Sequence, residues 1–391
     1  MKRNPSQILA ELSRGVGRGV VEVLGEDNVL SVFLTGSVAG QETACYTDGV
    51  FHEIYSDLDI AVVVSDCVDL ERSRCSMRRL AADFDLAGPD YRLFARPDIG
   101  AFSLEDLHAQ RARPGTVGIA HNHRVIFGSK DVPRDLELLA ATPIDPEEAL
   151  YLLEHRLLES HEVAEHESGS VSTASWRRYA HYVTLKSCLD AMSAVLIVCG
   201  RYVPSRDERV HVFSSDELRP CVEGLLPDDV LGTVQECARQ MQDLQEALSG
   251  DPACFTPVRA DVERLLLRLW KRIDDRTSGH PGNRWYDAIR RRTTGATTRG
   301  HLRDLMVLAR RRSLSRPRVA LHARQLARFS PVDMLRLTGL VESLLSQIGD
   351  EVVDQPIEKD FVSALEGLTR EFGFRSGSIF QRGRAMYRAI T

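Results

Sequence analysis

The sequence predicts an α+β fold, with strands concentrated in the N-terminal third and helices through the rest of the chain. Two apolar runs rich in β-branched residues, at 28–36 and 56–65, are typical of buried neighbouring strands. From about residue 146 onward, apolar residues recur at helical spacing and no segment favours a strand. The length of 391 residues is enough for two or three domains, each with its own core.

The N-terminal elements are predicted in the order helix, strand, strand, helix, strand, strand. The first 25 residues predict an amphipathic helix, because Glu11, Arg14 and Arg18 interrupt the apolar run that a signal peptide would need. The elements predicted after it are strands at 28–36 and 56–65, a helix at 67–84, and short strands within 88–98 and 117–128.

Six helices are predicted in the remainder of the chain. Most begin at Ser, Asp or Pro, and several end at Gly, which are the residues that helix termini favour. They cover 146–166, 175–200, 228–250, 257–274, 330–349 and 358–373.

Between the fourth and fifth of these helices lies an arginine-rich segment, 276–328. It contains fourteen Arg, two Asp and no Lys or Glu, a local net charge of +12 in a chain whose net charge is −6. Such a segment could bind RNA, an acidic lipid headgroup or the acidic remainder of the chain. An ordinary solvated helix surface is the favoured interpretation, since the segment lacks an aromatic ladder for stacking bases.

The cysteines and the apolar runs indicate an intracellular protein. The eight cysteines form no CxxC pair and no Cys/His cluster, which argues against a zinc site and predicts reduced thiols in the cytoplasm. The longest apolar run in the helical region, near residue 195, is about half the length needed to cross a bilayer, so we expect no membrane span.

Two histidines have the spacing of metal ligands. His121 and His123 would share one face of the strand predicted within 117–128. Because no Cys or third His is near them in the sequence, a structural role is the favoured interpretation.

Two aspartates open the second predicted strand, and they carry the main functional signal. On a strand, Asp57 and Asp59 would point to the same face, with Leu58 and Ile60 facing the other way. Two neighbouring carboxylates repel each other and are costly to desolvate, so a purely structural role is disfavoured unless a cation lies between them. Magnesium fits this requirement, because it takes a few carboxylate oxygens and completes its coordination with water and phosphate.

A Gly-Ser step follows the first predicted strand. Gly36 would allow a phosphate to approach the backbone closely, and Ser37 would add a hydroxyl while opening a short helix. An ordinary turn before a solvated strand is the alternative for this step. Together with the aspartate pair, however, the step favours a phosphoryl-transfer site.

The segments "LTGSVAGQ" and "YSDLDIAVVV" resemble the Gly-Ser and Asp-x-Asp signature of the DNA polymerase beta-type nucleotidyltransferase superfamily. The resemblance covers roughly residues 25–135. It implies a mixed-sheet domain that binds a nucleoside triphosphate with two magnesium ions. It also implies that Ser37 contacts phosphate and that Asp57 and Asp59 hold the metal ions.

The superfamily has a third acidic residue on a later neighbouring strand. Asp90, in "PDYRLFA", is the best match for it, and Asp98 is the second choice. The interval between Ser37 and Asp57 is longer than the short helix usual in the superfamily. We therefore expect an inserted excursion or hairpin in this interval.

A second resemblance lies in residues 182–210. This segment is similar to the helical domain of aminoglycoside adenylyltransferases, in which a long helix ends in Gly, a basic residue and a turn with Pro. The similarity implies that Arg201 reaches the triphosphate, with Lys186 on the same helix as a second candidate. For both residues, a solvated helix cation is the alternative.

Together these features predict a nucleotidyltransferase. The predicted domains are a catalytic domain at 1–140, a helical bundle at 141–275 that closes the active-site cleft, and a third region at 276–391 of unassigned role. The expected reaction transfers a nucleoside monophosphate, AMP from ATP being favoured, to an acceptor hydroxyl. A small-molecule acceptor is favoured, with protein and RNA as alternatives. The alternative function is a non-catalytic, nucleotide-binding regulatory or antitoxin-like protein that acts through its helical half.

Overall fold

A computed structural model describes residues 3–132, 136, 142–168, 173–226, 228–250 and 256–279. These residues fall into two compact units. One contains the described residues up to Glu148 and those between Val171 and Thr256, and the other contains residues 149–168 and 257–279. The helices predicted at 330–349 and 358–373, and the arginine-rich segment beyond Gly279, lie outside the described residues.

Within the described residues, the strands lie between Val29 and Gly128 and the helices continue to Ser278, so the predicted α+β class is confirmed. The strands are β1 Val29–Leu34, β2 Cys45–Asp48, β3 Phe51–Ile54, β4 Asp59–Val64, β5 Tyr91–Leu93, β6 Asp98–Ser103 and β7 Arg124–Gly128. The α-helices are α1 Pro5–Leu24, α2 Gly36–Ala39, α3 Leu70–Ala82, α4 Leu104–His108, α5 Pro114–His121, α6 Glu147–Ser168, α7 Ala174–Val198, α8 Arg206–Phe213, α9 Arg219–Leu225, α10 Asp228–Gln242, α11 Leu244–Ala247 and α12 Thr256–Ser278.

The larger sheet is mixed and has the strand order β6-β4-β1-β7. Strand β1 runs antiparallel to both β4 and β7, whereas β4 and β6 are parallel. One face of the sheet shares a buried core with α1 and α3, and the opposite face shares a core with α4 and α5. The predicted strands at 28–36 and 56–65 are confirmed as β1 and β4, the two central strands.

The long interval after Ser37 forms a second, three-stranded sheet with the order β2-β3-β5. Strands β2 and β3 are an antiparallel hairpin closed at Gly49, whose φ is +61°, and β3 pairs in parallel with β5. The predicted inserted hairpin is therefore confirmed.

The stretch 117–128 differs from its predicted structure. The run 117–128 is divided between the end of α5 and strand β7, because Asn122 ends the helix in an extended conformation. His121 consequently closes the last turn of α5, and His123 lies in the loop after it, where its Nδ1 is 3.2 Å from the carbonyl oxygen of Ile119. The two histidines do not share a strand face.

Helix α7 is the core helix of the first unit. Its length and composition would suffice for a membrane span, but 83% of its most apolar 18-residue window is buried against protein. That burial is typical of the central helix of a folded domain.

The expectation that all thiols are reduced differs from the structure, because Cys199 after α7 forms a disulfide with Cys221 in α9. These residues are 22 positions apart, and no local spacing motif marks the pair. The other described cysteines, Cys45, Cys67, Cys75, Cys188 and Cys237, carry free thiols.

The second unit pairs α6 with α12. The buried indole of Trp270 donates a hydrogen bond of 2.9 Å to the carboxylate of Glu154, and Ser160 donates one of 2.6 Å to Glu263. These two bonds connect α6 with α12, and both helices also carry buried apolar side chains.

A buried histidine in α7 predicts a pH-dependent stability. Burial lowers the pKa of His181 from 6.5 to about 4, although a hydrogen bond with Gln240 partly opposes the shift. A depressed pKa means that the unfolded chain binds the proton first, so stability should be full above pH 6.5 and should fall as the pH drops towards 4. We expect a loss on the order of 3 kcal/mol across this window in urea unfolding. In His181→Asn, this part of the pH dependence should disappear. An unchanged pH profile in that variant would contradict the assignment.

Candidate active site

Two parallel strands bring acidic residues to one edge of the larger sheet. Asp59 is the first residue of β4 and Asp98 the first residue of β6, and they are direct partners in the parallel register. The amide of Asp98 donates a hydrogen bond of 3.0 Å to the carbonyl of Leu58, which fixes this register at the strand ends. Neighbouring partners in a sheet point to the same face, so the two carboxylates lie side by side.

The apolar residues of β4 determine which face carries the acids. Leu58 and Ile60 are buried in the core beneath α1 and α3. Alternation along the strand therefore turns Asp59 towards the opposite face. Asp57 lies two residues before β4 begins, and its negative charge acts on Asp98. Asp57, Asp59 and Asp98 form a group that we call the acid cluster.

The environment of Asp98 changes the acidity of its carboxyl. The surrounding protein raises the pKa of this carboxyl by desolvation, and the negative charge of Asp57 raises it further. A carboxyl with a raised pKa is suited to accept a proton.

The Gly36 backbone fits closely against Asp59. Gly36 has a φ of +67°, and a Cβ at this position would lie 2.2 Å from Oδ2 of Asp59. Just before it, Thr35 donates its backbone amide to the carbonyl of Asp59 at 2.8 Å. The start of α2 and the start of β4 are therefore held together, and only glycine fits at position 36.

Gly36→Ala should impair the site more than a matched glycine replacement elsewhere. The methyl group would occupy the position of the Asp59 carboxylate and would also strain the backbone. We expect a loss of about 1–3 kcal/mol in the free energy of unfolding and a loss of triphosphate binding. Gly49→Ala is the control, because Gly49 has a similar φ of +61° but no atom within 4 Å of its added Cβ. Equal triphosphate affinity in the two variants, measured by calorimetry, would contradict the predicted role of Gly36.

Ser37 is anchored next to the acid cluster by a second serine. Its hydroxyl donates to the hydroxyl of Ser56 at 3.2 Å, and Ser56 in turn accepts the amide of Ala44 at 2.7 Å. Since Ser56 directly precedes Asp57, this chain of hydrogen bonds connects the Gly-Ser loop to the acid cluster. Sequence reasoning did not identify Ser56, whose position beside Asp57 is its only local signal.

Lys186 of α7 lies at the acid cluster. Its ammonium nitrogen is 3.9 Å from Oδ2 of Asp57 and 5.9 Å from the centre of the Tyr182 ring. The structure therefore brings together Gly36, Ser37, Asp57, Asp59 and Lys186, as the sequence predicts for the site.

Arg201 has a different environment. Its guanidinium lies 3.8 Å from the carboxylate of Glu217, and both side chains are largely exposed. Its predicted role at the triphosphate gains no support from this surface contact.

Asp90 does not join the acid cluster, which corrects the predicted third acid. It precedes β5 in the smaller sheet, and its carboxylate accepts hydrogen bonds from the guanidinium of Arg3. The Arg3 hydrogen bonds lower the pKa of Asp90, as expected for a carboxylate in a structural ion pair. Asp98, the second choice, is the residue that the fold sets beside Asp59.

The donor set fits a hard divalent cation that keeps water and substrate ligands. Within the described part of the chain, no three His, Cys, Asp or Glu side chains are grouped closely enough to enclose one metal ion. Magnesium does not need such an enclosure, because it commonly takes one or two carboxylates and completes its octahedron with water and phosphate oxygens. The oxygens of Asp57, Asp59 and Asp98 are of the type it prefers.

Comparison with known proteins adds no family assignment. No protein-family model matches the chain, and no curated protein sequence is significantly similar to it. The candidate site therefore rests on the sequence of residues 33–64 and on the geometry of the acid cluster.

Proposed function

We propose that the protein is a nucleotidyltransferase, which transfers a nucleoside monophosphate from a nucleoside triphosphate to an acceptor hydroxyl. The observation that carries this proposal is the convergence of three carboxylates beside a Gly-Ser loop that is bonded to the same strand. A loop open to phosphate next to a hard-cation donor set supports phosphoryl or nucleotidyl transfer over other reaction classes.

Each residue of the site would have its own role in binding the metal ions and the triphosphate. Asp57 and Asp59 would hold two magnesium ions, with Asp98 as a further ligand to one of them. When bound, the metal neutralises triphosphate charge and lowers the pKa of the acceptor hydroxyl. Ser37 would turn its hydroxyl hydrogen from Ser56 to a phosphate oxygen. Lys186 would exchange its contact with Asp57 for an ion pair with the triphosphate.

The transfer would form one bond and break one bond at the α-phosphorus. The acceptor oxygen attacks the α-phosphorus, and the bond from the α-phosphorus to the bridging oxygen of the β-phosphate breaks, releasing pyrophosphate. Asp98 would accept the hydroxyl proton on its carboxylate, a role supported by the raised pKa of this group. ATP is the favoured donor by resemblance to the adenylyltransferases, and a small molecule is the favoured acceptor.

Two labelled forms of ATP test the proposal. The protein would be incubated with magnesium, a size-fractionated cell extract, and ATP labelled either at the α-phosphorus or at the γ-phosphorus. Nucleotidyl transfer puts the α-label on the acceptor and the γ-label in pyrophosphate. Transfer of the γ-label to the acceptor would instead identify a kinase and would overturn the proposal. The same assay with the other three α-labelled triphosphates identifies the donor.

A further inference from the structure

The inserted hairpin β2–β3 contacts the N-terminal part of α7 through a buried ion pair. Glu53 of β3 is only 4% exposed. Its carboxylate accepts two hydrogen bonds from the guanidinium of Arg178, at 2.6 and 2.9 Å, one from Tyr55 at 2.7 Å and one from Ser175. Burial alone would raise the pKa of Glu53, but these donors outweigh it and lower the pKa, so the pair stays ionised.

Both strands of the hairpin contact Arg178. Tyr46 of β2 is the direct cross-strand partner of Glu53, and the Arg178 guanidinium lies over its ring at 4.4 Å from the centre. Arg178 is therefore held between a carboxylate on one strand and an aromatic ring on the next. Because the planar Arg178 guanidinium is bound on two sides, it fixes the orientation of α7 as well as its position.

An aromatic stack continues this contact towards the acid cluster. The rings of Tyr55 and Tyr182 are stacked with centres 5.2 Å apart at an angle of 22°. Phe94 packs against Tyr55 at 5.2 Å and against Tyr179 at 4.8 Å. Such pairs restrict the rotation of the helix about its own axis, because each ring fits a specific neighbour.

Two residues of the aromatic stack lie close in sequence to the Lys186–Asp57 pair. Tyr55 lies two residues before Asp57, and Tyr182 lies one helical turn before Lys186. The Lys186 ammonium is near the Tyr182 ring and 3.9 Å from the Asp57 carboxylate. The same stack thus determines where both partners of the Lys186–Asp57 pair lie.

We propose that the inserted hairpin is a positioning platform, which holds Lys186 at the mouth of the triphosphate site through Glu53 and Tyr55. Glu53 and Tyr55 are positioning residues, because they act through Lys186 and do not touch the substrate. The inference rests on the proposed function for what Lys186 does with the triphosphate. A buried ion pair contributes little net stability, so its value here is the fixed geometry.

The variant Glu53→Gln tests the platform with the volume of the side chain preserved. We expect its affinity for the non-hydrolysable analogue α,β-methylene-ATP with magnesium to fall about tenfold, as in Lys186→Met. In the double variant Glu53→Gln, Lys186→Met, the two losses of analogue affinity should not add. Each single change already removes the Lys186 charge from the triphosphate. Additive losses would mean that Glu53 acts by general stability, and they would overturn the inference.

A second measurement does not depend on nucleotide binding. An amine-reactive ester, with labelling read by peptide mass spectrometry, should modify Lys186 severalfold faster in Glu53→Gln than in the wild type, relative to exposed Lys130. Tyr55→Leu, which removes the ring, should have the same effect, whereas Tyr55→Phe, which keeps the ring, should have a smaller one. An unchanged Lys186 rate in Glu53→Gln and Tyr55→Leu overturns the platform even if the wild type binds the analogue. Failure of the wild type to bind the α,β-methylene analogue of any of the four nucleoside triphosphates overturns the proposed function, while faster labelling of Lys186 still supports the platform.

Discussion

Replacing Asp57 or Asp59 by Asn is expected to abolish metal-dependent nucleotide transfer while the fold stays intact. Asn keeps the shape of the side chain but lacks the negative charge that holds a divalent cation. Changing a residue that only supports a metal ligand costs 10–100-fold, so loss of a direct ligand should reduce the transfer rate by more than about 100-fold. Both side chains lie at the solvent-accessible edge of the sheet, so we expect the free energy of unfolding to change by less than about 1 kcal/mol without magnesium.

The comparison that separates catalysis from structure is thermal unfolding with and without magnesium. The wild type should gain stability when magnesium and triphosphate are added, and the two variants should not. If either variant unfolded much more easily than the wild type yet still transferred nucleotide, the pair would be structural.

Replacing Asp98 by Asn should stop turnover, whereas the same change at Asp90 should not. Asp98 is the register partner of Asp59 and has the raised pKa of a proton acceptor. Its loss should lower the single-turnover rate by about 100-fold or more and should preserve most of the triphosphate affinity, which depends mainly on Asp57, Asp59 and the loop. Asp90 precedes β5 of the smaller sheet and is bound to Arg3, so Asp90→Asn should leave the rate within about twofold of the wild type.

Rates at saturating magnesium and triphosphate discriminate between these two acids. A normal rate for Asp98→Asn together with an inactive Asp90→Asn would show that Asp98 is not needed for turnover and that Asp90 is the third acid. The Asp90 variant also serves as a control for general effects of removing a carboxylate, because its expected defect is limited to the attachment of the N-terminus through Arg3.

The sequence predicts the parts of the site that depend on local pattern. Strands β1 and β4 are predominantly apolar runs, and alternation along β4 is enough to orient Asp59. The hairpin after Ser37 is expected from the resemblance, because that interval is longer than the one usual in the superfamily. For the two strands and the aspartates, the information lies within a few residues of the feature it predicts.

The third acid could not be predicted with the same certainty, because its place depends on pairing between distant strands. Strand β6 is as long as β1 and β4 but contains Gly100, so it gives a weak strand signal and is not predicted. Its alternation was the available clue, since Ile99 and Ala101 are buried in one core while Asp98 is exposed at its start. The ion pair of Glu53 and Arg178 spans 125 residues and has no local signal at all.

Binding of Mn²⁺, measured by electron paramagnetic resonance, tests the central claim without knowledge of the acceptor. Free Mn²⁺ gives a strong signal that is lost when the ion is bound, and Mn²⁺ accepts the same oxygen ligands as magnesium. With α,β-methylene-ATP present, the wild type and Asp90→Asn should bind more Mn²⁺ than the analogue alone does. The double variant Asp57→Asn, Asp59→Asn should add no binding to that of the analogue. Equal Mn²⁺ binding by the wild type and this double variant would contradict the assignment of the acid cluster as a metal–triphosphate site.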